Sequence, residues 1–431
     1  MKLISLVVLG YFLSISTLFS QDLNKMAINK AEKIEKKVIE WRRYFHEHPE
    51  LSNREFNTAE KIAEHLKGLG LEVKAGVAHT GVIGLLKGDE DGPVVALRAD
   101  IDGLPVTERN DLPYKSEVVA EYNGQKTGVM HACGHDTHIA ILMGVAEVLS
   151  SMRDELNGTV KFIFQPAEEG PPPSEKGGAS LMVEEGALTN PNVDVIFGLH
   201  IAAGTLLGQI SYKSGGFMAA SDRFEVKVKG KQAHGSTPWA SIDPIAVSTQ
   251  IINSLQYIIS RNAELTKEAA VITVGMIQAG VRYNIIPEEA RFVGTIRTLD
   301  MEMQKMIHEK IKTTAKNIGE IAGAEVTVEI VNNAPLTYNS PELTQQMIPS
   351  LKKASTNVQS VKAVTGAEDF SYFQEKVPGL YFFVGAKPES EPYIQPLNGH
   401  HTPDFILDEA AMLTGVKAML NLTLDFMEMN K

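Results

Sequence analysis

Four short apolar segments, each leading toward acidic or histidine side chains, limit most strongly what this chain can fold into. The segments are Val94–Leu97, Val160–Phe164, Val193–Phe197 and Leu380–Val384. Continuous apolar runs separated by helix-length stretches are typical of buried parallel strands in an α/β sheet. In open α/β sheets, functional sites lie beyond the carboxyl ends of the strands. The pattern therefore predicts an α/β fold with a mainly parallel sheet flanked by helices, and a site at one end of the strands.

A different pattern occupies the region from about residue 217 to residue 332. Arg223–Lys229 alternates between apolar and polar residues, as a half-exposed strand should. Further strands are predicted near 270–277, 290–297 and 325–331, and helices near 243–261 and 300–321. The order β-α-β-β-α-β is that of a ferredoxin-like unit. We therefore predict an α+β satellite domain over 217–332, inserted into a first domain made of 21–216 and 333–431.

Composition and charge narrow the class of protein. The 431 residues are 43% hydrophobic and 22% charged, which is ordinary for a globular protein. The formal net charge is −12, which argues against non-specific binding to the phosphate backbone of a nucleic acid. We therefore expect no nucleic-acid partner.

The N-terminus has the pattern of a secretory signal peptide. After Lys2, the run Leu3–Phe19 carries no charge, and Ser20 is a small residue at a plausible cleavage point. An uncleaved single-pass anchor is the alternative, although the run is on the short side for spanning a bilayer. We predict a signal peptide over residues 1–20, export to a periplasm or to the medium, and no stable membrane anchor after cleavage.

The strongest local signal for chemistry is the motif His131–Asp136, which contains the only cysteine of the chain. A turn here, opening into a helix over Ile139–Ser151, would let Cys133 and His135 converge on one cation. Thiolate and imidazole suit zinc, cobalt, nickel or manganese better than calcium or magnesium. On these residues alone, a metal site and a redox-active or buried cysteine are equally open.

Three more segments place candidate ligands near predicted strand ends. Glu168 and Glu169 are neighbours whose side chains should diverge, so one can bind metal while the other acts as general base. A solvated acidic loop is the alternative for this pair. His200 ends its predicted strand, and a histidine in such a place, taken alone, is more often a hydrogen-bonded core residue than a ligand. His400 and His401 stand before a threonine and a proline, and proline holds the preceding residue extended.

Seven motifs together resemble the M20 metallopeptidases. More narrowly, they resemble the amidohydrolase branch, which includes hippurate hydrolases, N-acyl-amino-acid deacylases and auxin-conjugate hydrolases. The motifs are Arg98–Pro105, His131–Asp136, Gln165–Gly170, Gly198–His200, Tyr283–Pro287, Gly366–Phe370 and His401–Pro403. They are spread over nearly the whole chain after the signal peptide.

This resemblance implies a catalytic first domain with a dinuclear metal centre. The implied ligands of two divalent ions (zinc, manganese, cobalt or nickel) are Cys133, His135, Glu169, His200 and His401. Glu168 matches the general base of the family, and Asp102 matches the acidic residue that supports the site. His401 is preferred to His400 because the family's ligand stands immediately before the small residue and the proline.

Residues beside these motifs receive lesser assignments. His131 and Asp136 are candidates either for supporting the ligands or for a purely structural role. His138 is expected to be a helix-face residue. Asp100 stands where other M20 branches place a histidine ligand, so it is left out of the predicted ligand set.

The satellite domain is expected to supply substrate contacts. Its loop Gly230–Gly235 resembles a family loop whose histidine reaches the substrate, often across a dimer interface. His234 is therefore the candidate donor to the tetrahedral oxyanion, and a homodimer is expected. Asn284 and Arg297 are candidate partners of a substrate carboxylate, because an amide donor and a guanidinium fork suit that group. A sheet-face ion pair is the alternative for Arg297.

These assignments predict a metal-dependent amidohydrolase. It would cleave the amide bond of hippurate-like N-acyl amino acids to a carboxylic acid and a free amino acid, by general-base attack of a metal-bound water. The near alternative is a metallo-carboxypeptidase or dipeptidase that acts on a short peptide. The remote alternative is a non-catalytic M20-like binding protein, which would have no use for the base Glu168.

Overall fold

The structure is a computed structural model that describes residues 2–388 and 399–431, with side chains described from residue 23 onward. Its contacts divide the chain into two compact units. Unit 1 consists of Met1–Gly215, Asn339–Val361 and Tyr372–Lys431, and unit 2 consists of Gly216–Tyr338 and Lys362–Ser371.

The side chains of the signal peptide predicted over residues 1–20 lie outside the described part, so that assignment stays a prediction. Across the part of the chain that the structure does describe, no helix is both long enough and apolar enough to cross a membrane.

The helices and strands are numbered in chain order. The helices are α1 (Lys2–Glu47), α2 (Phe56–Gly68), α3 (His135–Ser150), α4 (Gly178–Glu184), α5 (Pro244–Tyr257), α6 (Met301–Ala322), α7 (Pro341–Ala354), α8 (Ser371–Gln374) and α9 (Ala411–Met429). The strands are β1 (Glu72–Val77), β2 (Gly81–Lys87), β3 (Glu90–Asp100), β4 (Val119–Tyr122), β5 (Gln125–Gly128), β6 (Asn157–Gln165), β7 (Val195–Leu206), β8 (Ile210–Tyr212), β9 (Gly215–Met218), β10 (Ala220–Lys229), β11 (Ala233–His234), β12 (Ala270–Ala279), β13 (Ile285–Ile286), β14 (Glu289–Thr298), β15 (Glu325–Ala334), β16 (Thr337–Asn339), β17 (Val358–Ser360) and β18 (Gly379–Lys387).

Unit 1 is built on an eight-stranded sheet in the order β1-β2-β6-β3-β7-β18-β8-β17. The four inner strands β6, β3, β7 and β18 are parallel, whereas β1, β2 and β8 join the sheet in antiparallel pairs. The inner strands are almost entirely buried, because helices cover the sheet as they do in other parallel sheets. The predicted α/β fold with a mainly parallel sheet is therefore confirmed.

Helices α1, α3 and α9 contact one another and cover part of this sheet. Their apolar side chains join those of the strands in one core, to which Phe45, Ile141, Val416, Leu97 and Phe197 belong. The core carries the start of α3 and the carboxyl ends of β3 and β6, where the candidate ligands lie.

Unit 2 contains an antiparallel sheet in the order β12-β14-β10-β15, with α5 and α6 packed against it. Asp243 caps α5 by accepting from Ile245 N–H, and Asp300 caps α6 by accepting from Met303 N–H. The predicted β-α-β-β-α-β order of a ferredoxin-like insertion is confirmed.

The two units do not follow the domain boundaries predicted from the sequence at every point. Residues 333–338 and 362–371 belong to unit 2, whereas the sequence pattern predicts them to be part of the first domain. The N–H of Ala219 lies 3.2 Å from the carbonyl oxygen of Val364 and donates to that of Gly366 at 2.9 Å. Main-chain hydrogen bonds between segments so far apart in sequence cannot be predicted from the hydrophobic pattern, which is the basis of the predicted boundaries.

Candidate metal centre

The turn before α3 places Cys133 and His135 next to β7. Gly134 has a positive φ of 91°, and a Cβ atom there would lie 2.4 Å from Cγ2 of Ile201. Only glycine permits both this backbone conformation and this close approach. Helix α3 begins directly afterwards at His135, earlier than the predicted start at Ile139.

The five predicted ligands converge around this turn. The sulfur of Cys133 lies 3.4 Å from Nε2 of His200 and 3.3 Å from Nε2 of His401. Oε1 of Glu169 lies 3.0 Å from Nε2 of His401 and 4.0 Å from Nε2 of His135. Side chains that are up to 268 positions apart in sequence thus share one site.

One atom of this group in particular suggests that the site is built for a cation. Nε2 of His135 is buried and has no hydrogen-bond partner among the described residues. A buried polar atom without a partner costs about 1–3 kcal/mol, so such atoms are rare unless something binds them. The ligand atoms of Cys133, His135 and Glu169 all lie within 4.8 Å of one another. The donor set therefore fits a metal ion.

The electrostatics of the site favour positive charge. Burial opposes a charge on His135, but the carboxylates of Asp100, Asp102 and Glu169 raise its pKa to about 10. Burial, together with the negative charge of Glu169, raises the pKa of the Cys133 thiol well above its ordinary value. A bound cation would offset both effects, since it takes the place of the proton on His135 and stabilises the thiolate.

Asp102 orients two of the ligands. Its Oδ1 and its carbonyl oxygen lie 3.1 and 2.9 Å from Nδ1 of His135, which holds the proton on Nδ1 and leaves Nε2 facing the site. Its Oδ2 accepts from the main-chain N–H of Glu169 at 3.0 Å and from the hydroxyl of Ser52 at 2.7 Å. Burial opposes its ionisation, but the hydrogen bond and positive charge of His135 lower the pKa of Asp102.

Glu168 and Glu169 are the two central residues of a β-turn. The turn is closed by a hydrogen bond of 3.3 Å from the N–H of Gly170 to the carbonyl oxygen of Ala167. Oε2 of Glu168 lies 3.8 Å from Nε2 of His135. The turn directs both carboxylates toward the same group of ligands, which the alternative of a solvated acidic loop does not explain.

The start of this turn is held by a residue that sequence reasoning missed. Ala167 has a positive φ of 51°, which is unfavourable for alanine. The fully buried carboxyl group of Glu55 accepts from the N–H of Ala167 at 2.9 Å and from the hydroxyl of Thr80 at 2.6 Å. No motif spacing connects Glu55 to Ala167, which is 112 positions away.

His200 lies within a strand and not at its end. Strand β7 continues to Leu206 because it pairs with β18 as far as Lys387, so the prediction that His200 ends its strand is wrong. Nδ1 of His200 lies 2.6 Å from the carbonyl oxygen of Ile201, which leaves Nε2 facing Cys133. Burial lowers the pKa of His200 well below its ordinary value, so the imidazole is neutral and able to bind metal.

His138 lies on α3 as expected, but it is buried in this region and contacts residues of the site, so the expectation of a helix-face residue without a role there is wrong. Its Nδ1 lies 2.5 Å from Oδ1 of Asp100, and its Nε2 accepts from the N–H of Ile201 at 2.9 Å. The other carboxylate oxygen of Asp100 accepts from Arg98 at 2.6 Å. Both ring nitrogens of His138 are thus engaged by the protein, which leaves Asp100 and His138 as supports.

His400 and His401 both reach the sulfur of Cys133 but differ in what their second nitrogen does. Nδ1 of His400 lies 3.6 Å from the sulfur, and its Nε2 accepts from the N–H of Ala203. In the neutral ring the proton is therefore on Nδ1, the nitrogen that faces the sulfur, and a protonated nitrogen cannot bind a metal ion. The N–H of His401 donates to the carbonyl oxygen of Ala132 at 2.8 Å, which anchors the residue beside the turn.

Asp136 belongs to a buried ionic group behind the site. Its Oδ2 accepts from Arg42 at 2.7 Å and lies 2.9 Å from Nδ1 of His46. Burial opposes its ionisation, but the charge of Arg42 lowers the pKa of Asp136. Asp136 thereby ties α1 to the start of α3.

His131 is also buried near this ionic group. Both of its ring nitrogens lack a partner among the described residues, and burial lowers the pKa of His131 to about 4.

The three predicted substrate-contacting residues lie in unit 2. Strands β11 and β13 pair antiparallel, which brings His234 close to Asn284 in the chain fold of that unit. Nδ1 of His234 accepts from the N–H of Ser236 at 3.1 Å, so the neutral ring carries its proton on Nε2. Oδ1 of Asn284 and Nη1 of Arg297 are buried without a partner within the described ranges. No ion pair of Arg297 is found there either, although the negative charge of Asp222 on the neighbouring strand β10 acts on its guanidinium group.

Comparison with known proteins extends the resemblance to nearly the whole chain. Residues 96–425 match Peptidase family M20/M25/M40. Thermostable carboxypeptidase 2 of Saccharolobus solfataricus is 40% identical over 94% of this chain and 99% of its own length. N-acetylcysteine deacetylase of Bacillus subtilis is 37% identical over 91% of this chain and 97% of its own. The crystal structure of the YXEP protein of Bacillus subtilis, a dinuclear metal-binding peptidase from the M20 family, has a TM-score of 0.76 at 35% identity and covers 92% of this chain and 99% of that one.

The matched region contains Asp102, Glu168 and all five predicted ligands. Identity at this level over most of both chains goes well beyond a shared fold, which by itself would not indicate function. The chain therefore belongs to the M20 family of metallopeptidases and is a metal-dependent amidohydrolase or peptidase.

Proposed function

We propose that this enzyme hydrolyses the amide bond of N-acyl amino acids to a carboxylic acid and a free amino acid. The observation that carries the proposal is the β-turn Ala167–Gly170, which directs two adjacent carboxylates toward one group of metal ligands. The main-chain N–H of Glu169 donates to Asp102, and Oε1 of Glu169 lies 3.0 Å from Nε2 of His401. Oε2 of Glu168 lies 3.8 Å from Nε2 of His135, and the side chains of both glutamates are mostly buried. The deacetylase relative acts, by its name, on an N-acyl amino acid, which supports this substrate class.

We assign two divalent transition-metal ions (zinc, manganese, cobalt or nickel) to this site. They would be held by Cys133, His135, Glu169, His200 and His401. The thiolate and imidazole donors favour these metals over calcium and magnesium. When bound, such ions supply Lewis acidity toward an amide carbonyl and lower the pKa of water.

The chain's own residues then have distinct tasks. Glu168 takes a proton from the attacking water and delivers it to the departing amine nitrogen, so the same carboxyl group serves as base and then as acid. The Nε2–H of His234 is the donor assigned to the oxyanion of the tetrahedral intermediate. Arg297 is assigned to the carboxylate of the amino acid, which would give its unpartnered, buried Nη1 an acceptor, and Asn284 is assigned to the same carboxylate through the N–H groups of its side-chain amide.

A second candidate activity is that of a carboxypeptidase or dipeptidase. The relative named thermostable carboxypeptidase, at 40% identity, favours it. The same residues would act, with a short peptide in place of the acyl group. The remote alternative of a non-catalytic binding protein is not retained, because the chain belongs to a family of hydrolases.

The test is a substrate panel. Protein reconstituted separately with zinc, manganese, cobalt or nickel is incubated with N-acetyl and N-benzoyl amino acids and with dipeptides, and release of the free amino acid is measured. Faster turnover of the acyl amino acids supports the proposal. Turnover of dipeptides alone would favour the carboxypeptidase or dipeptidase activity instead. No turnover with any metal would refute both activities.

We also propose that the protein is a homodimer joined through unit 2. Val281, Tyr283 and Trp239 are 97%, 95% and 82% exposed there, and β12 is an edge strand of its sheet. Large exposed apolar side chains and an unpaired sheet edge in one unit are typical of a protein that associates with a second copy. Light scattering should give a dimeric mass, which Val281→Asp lowers. The matched control Ile321→Asp, at an 88% exposed position on α6, should stay dimeric, and a monomeric wild type would refute the proposal.

We finally propose export, on the strength of the uncharged run Leu3–Phe19 and the small residue Ser20. The mature chain would begin near Gln21. Mass spectrometry of protein recovered outside the cytoplasm should find it without residues 1–20. Recovery only as the full chain in the membrane fraction would favour the uncleaved anchor.

A further inference from the structure

A cavity of about 220 Å³ lies in unit 1 beside the candidate metal centre. We name it the hairpin pocket, because the hairpin β4–β5 supplies part of its wall. Its apolar lining consists of Leu51, Leu104, Pro105, Tyr122 and Pro172. None of the roles assigned above uses these residues.

The pocket begins at the centre itself. Glu169 is one of its lining residues, and Oε1 of this carboxylate lies 3.0 Å from Nε2 of His401. Ser52 also lines the pocket, and its hydroxyl donates to Asp102. A substrate whose scissile carbonyl lies at the centre would therefore have one of its two substituents within reach of the pocket.

The charges of the pocket decide which substituent fits. Glu121 and Glu169 are both acidic lining residues. The lining cation Arg54 is already bound to the carboxylate of Glu175, at 2.6 and 3.1 Å. The carboxylate of the amino-acid half would meet like charge here and no uncommitted cation among the lining residues. The acyl half, which carries no obligatory charge, is the compatible occupant.

The size and wall of the pocket limit the acyl group further. Drug-sized ligands occupy pockets of about 300–1,000 Å³, so 220 Å³ suits a single ring better than a whole substrate. The ring of Tyr122 stands at the end of β4, directly before a two-residue turn. That turn is made by Asn123 and Gly124, whose φ angles of 51° and 76° match the tight hairpin turn with left-handed residues. The wall is therefore a defined hairpin that can present an aromatic face.

We propose that the hairpin pocket receives the acyl group of the substrate and selects uncharged acyl groups that contain one ring, such as benzoyl, over small or anionic ones. This inference rests on the proposed function. The probes are the N-acetyl, N-benzoyl and N-succinyl derivatives of the amino acid that the panel selects. If the panel selects none, the proposed function has failed before the pocket is tested.

Two pocket variants and one control are compared by kcat/KM. Leu104→Trp fills the pocket and should lower the benzoyl-to-acetyl ratio about tenfold, mainly by raising KM for the benzoyl substrate. Tyr122→Ala removes the ring at the wall and should lower the same ratio without filling the pocket. Val119→Ala changes an exposed residue of the same hairpin that does not line the pocket, and it should leave the ratio as in the wild type.

Charge is tested by Glu121→Gln, which should raise kcat/KM for the succinyl substrate relative to the benzoyl substrate. Unchanged benzoyl-to-acetyl ratios in both Leu104→Trp and Tyr122→Ala would overturn the proposal while leaving the hydrolase function intact. Preference of the wild type for the succinyl derivative would overturn it as well.

Discussion

Glu55 offers the sharpest test of how the β-turn Ala167–Gly170, which we call the catalytic turn, is held in place. Its buried carboxyl group is the acceptor for the N–H of Ala167 and for the hydroxyl of Thr80. Replacement by alanine leaves both donors buried and unpaired, at about 1–3 kcal/mol each. It also releases a non-glycine residue from the left-handed region. We expect Glu55→Ala to lower the free energy of unfolding by about 3 kcal/mol.

The same change should reach the chemistry, because Ala167 directly precedes Glu168. A displacement of about 1 Å at a reacting group can reduce the rate by about a hundredfold. We therefore expect kcat of Glu55→Ala to fall by about ten- to a hundredfold. Glu55→Gln is the matched control, since its amide oxygen can accept from Ala167 while its amide nitrogen donates to Thr80, whose hydroxyl can also accept.

The charge of Glu55 gives a separate readout. Burial, followed by the negative charge of Asp102, raises the pKa of Glu55 from 4.5 to about 8. Between these two values the folded protein keeps a proton that the unfolded chain has lost, so this group makes the protein less stable as pH rises. In metal-free protein, the stability of Glu55→Gln relative to the wild type should therefore increase across that window, by at most about 1.4 kcal/mol per pH unit.

Urea unfolding of metal-free protein at several pH values tests the effects on stability. Measurement of kcat and bound metal on metal-loaded samples of the same variants tests the effect on the chemistry. If Glu55→Gln is as damaged as Glu55→Ala, the hydrogen-bonding argument is wrong. If the stability difference between Glu55→Gln and the wild type does not depend on pH, the carboxyl group is not held protonated.

Three further predictions concern the centre itself. Glu168→Gln should retain the fold and the bound metal but lose about 10²–10⁴-fold in kcat. If this variant keeps its activity, Glu168 is not the general base. His401→Ala should lower metal occupancy, because it removes a donor 3.3 Å from the sulfur of Cys133; elemental analysis showing full occupancy would contradict this. Gly134→Ala should be destabilised by about 2–4 kcal/mol, from backbone strain and from contact with Ile201, and an unchanged thermal midpoint would argue against the tight turn.

Local sequence was enough to predict the fold class and much of the site. Apolar runs predicted the inner strands, and the alternating pattern of Arg223–Lys229 predicted the antiparallel insertion. Errors occurred where long-range pairing decides. The length of β7 depends on its pairing with β18, so the local sequence around His200 could not show where the strand ends. The return of Lys362–Ser371 to unit 2 depends on hydrogen bonds with a distant segment.

The supporting residues were the least predictable part of the site. Ser52 and Glu55 are 50 and 112 positions away from the groups they bind, and single polar residues of this kind carry no periodic signal. His138 and His400 have the residue type of a metal ligand. Their second nitrogens, however, are occupied by main-chain N–H groups, and only the folded chain can show that.

What the sequence by itself determined is therefore the set of secondary-structure elements, the order in which they occur and the residue types able to bind metal. These properties depend on neighbours within one or two turns of the chain. The tertiary structure alone decided which nitrogen of each histidine faces the site, which carboxylates hold the catalytic turn, and where a cavity adjoins the centre. Those properties depend on burial and on hydrogen bonds between distant segments, and both come into existence only when the sheet and its helices have packed together.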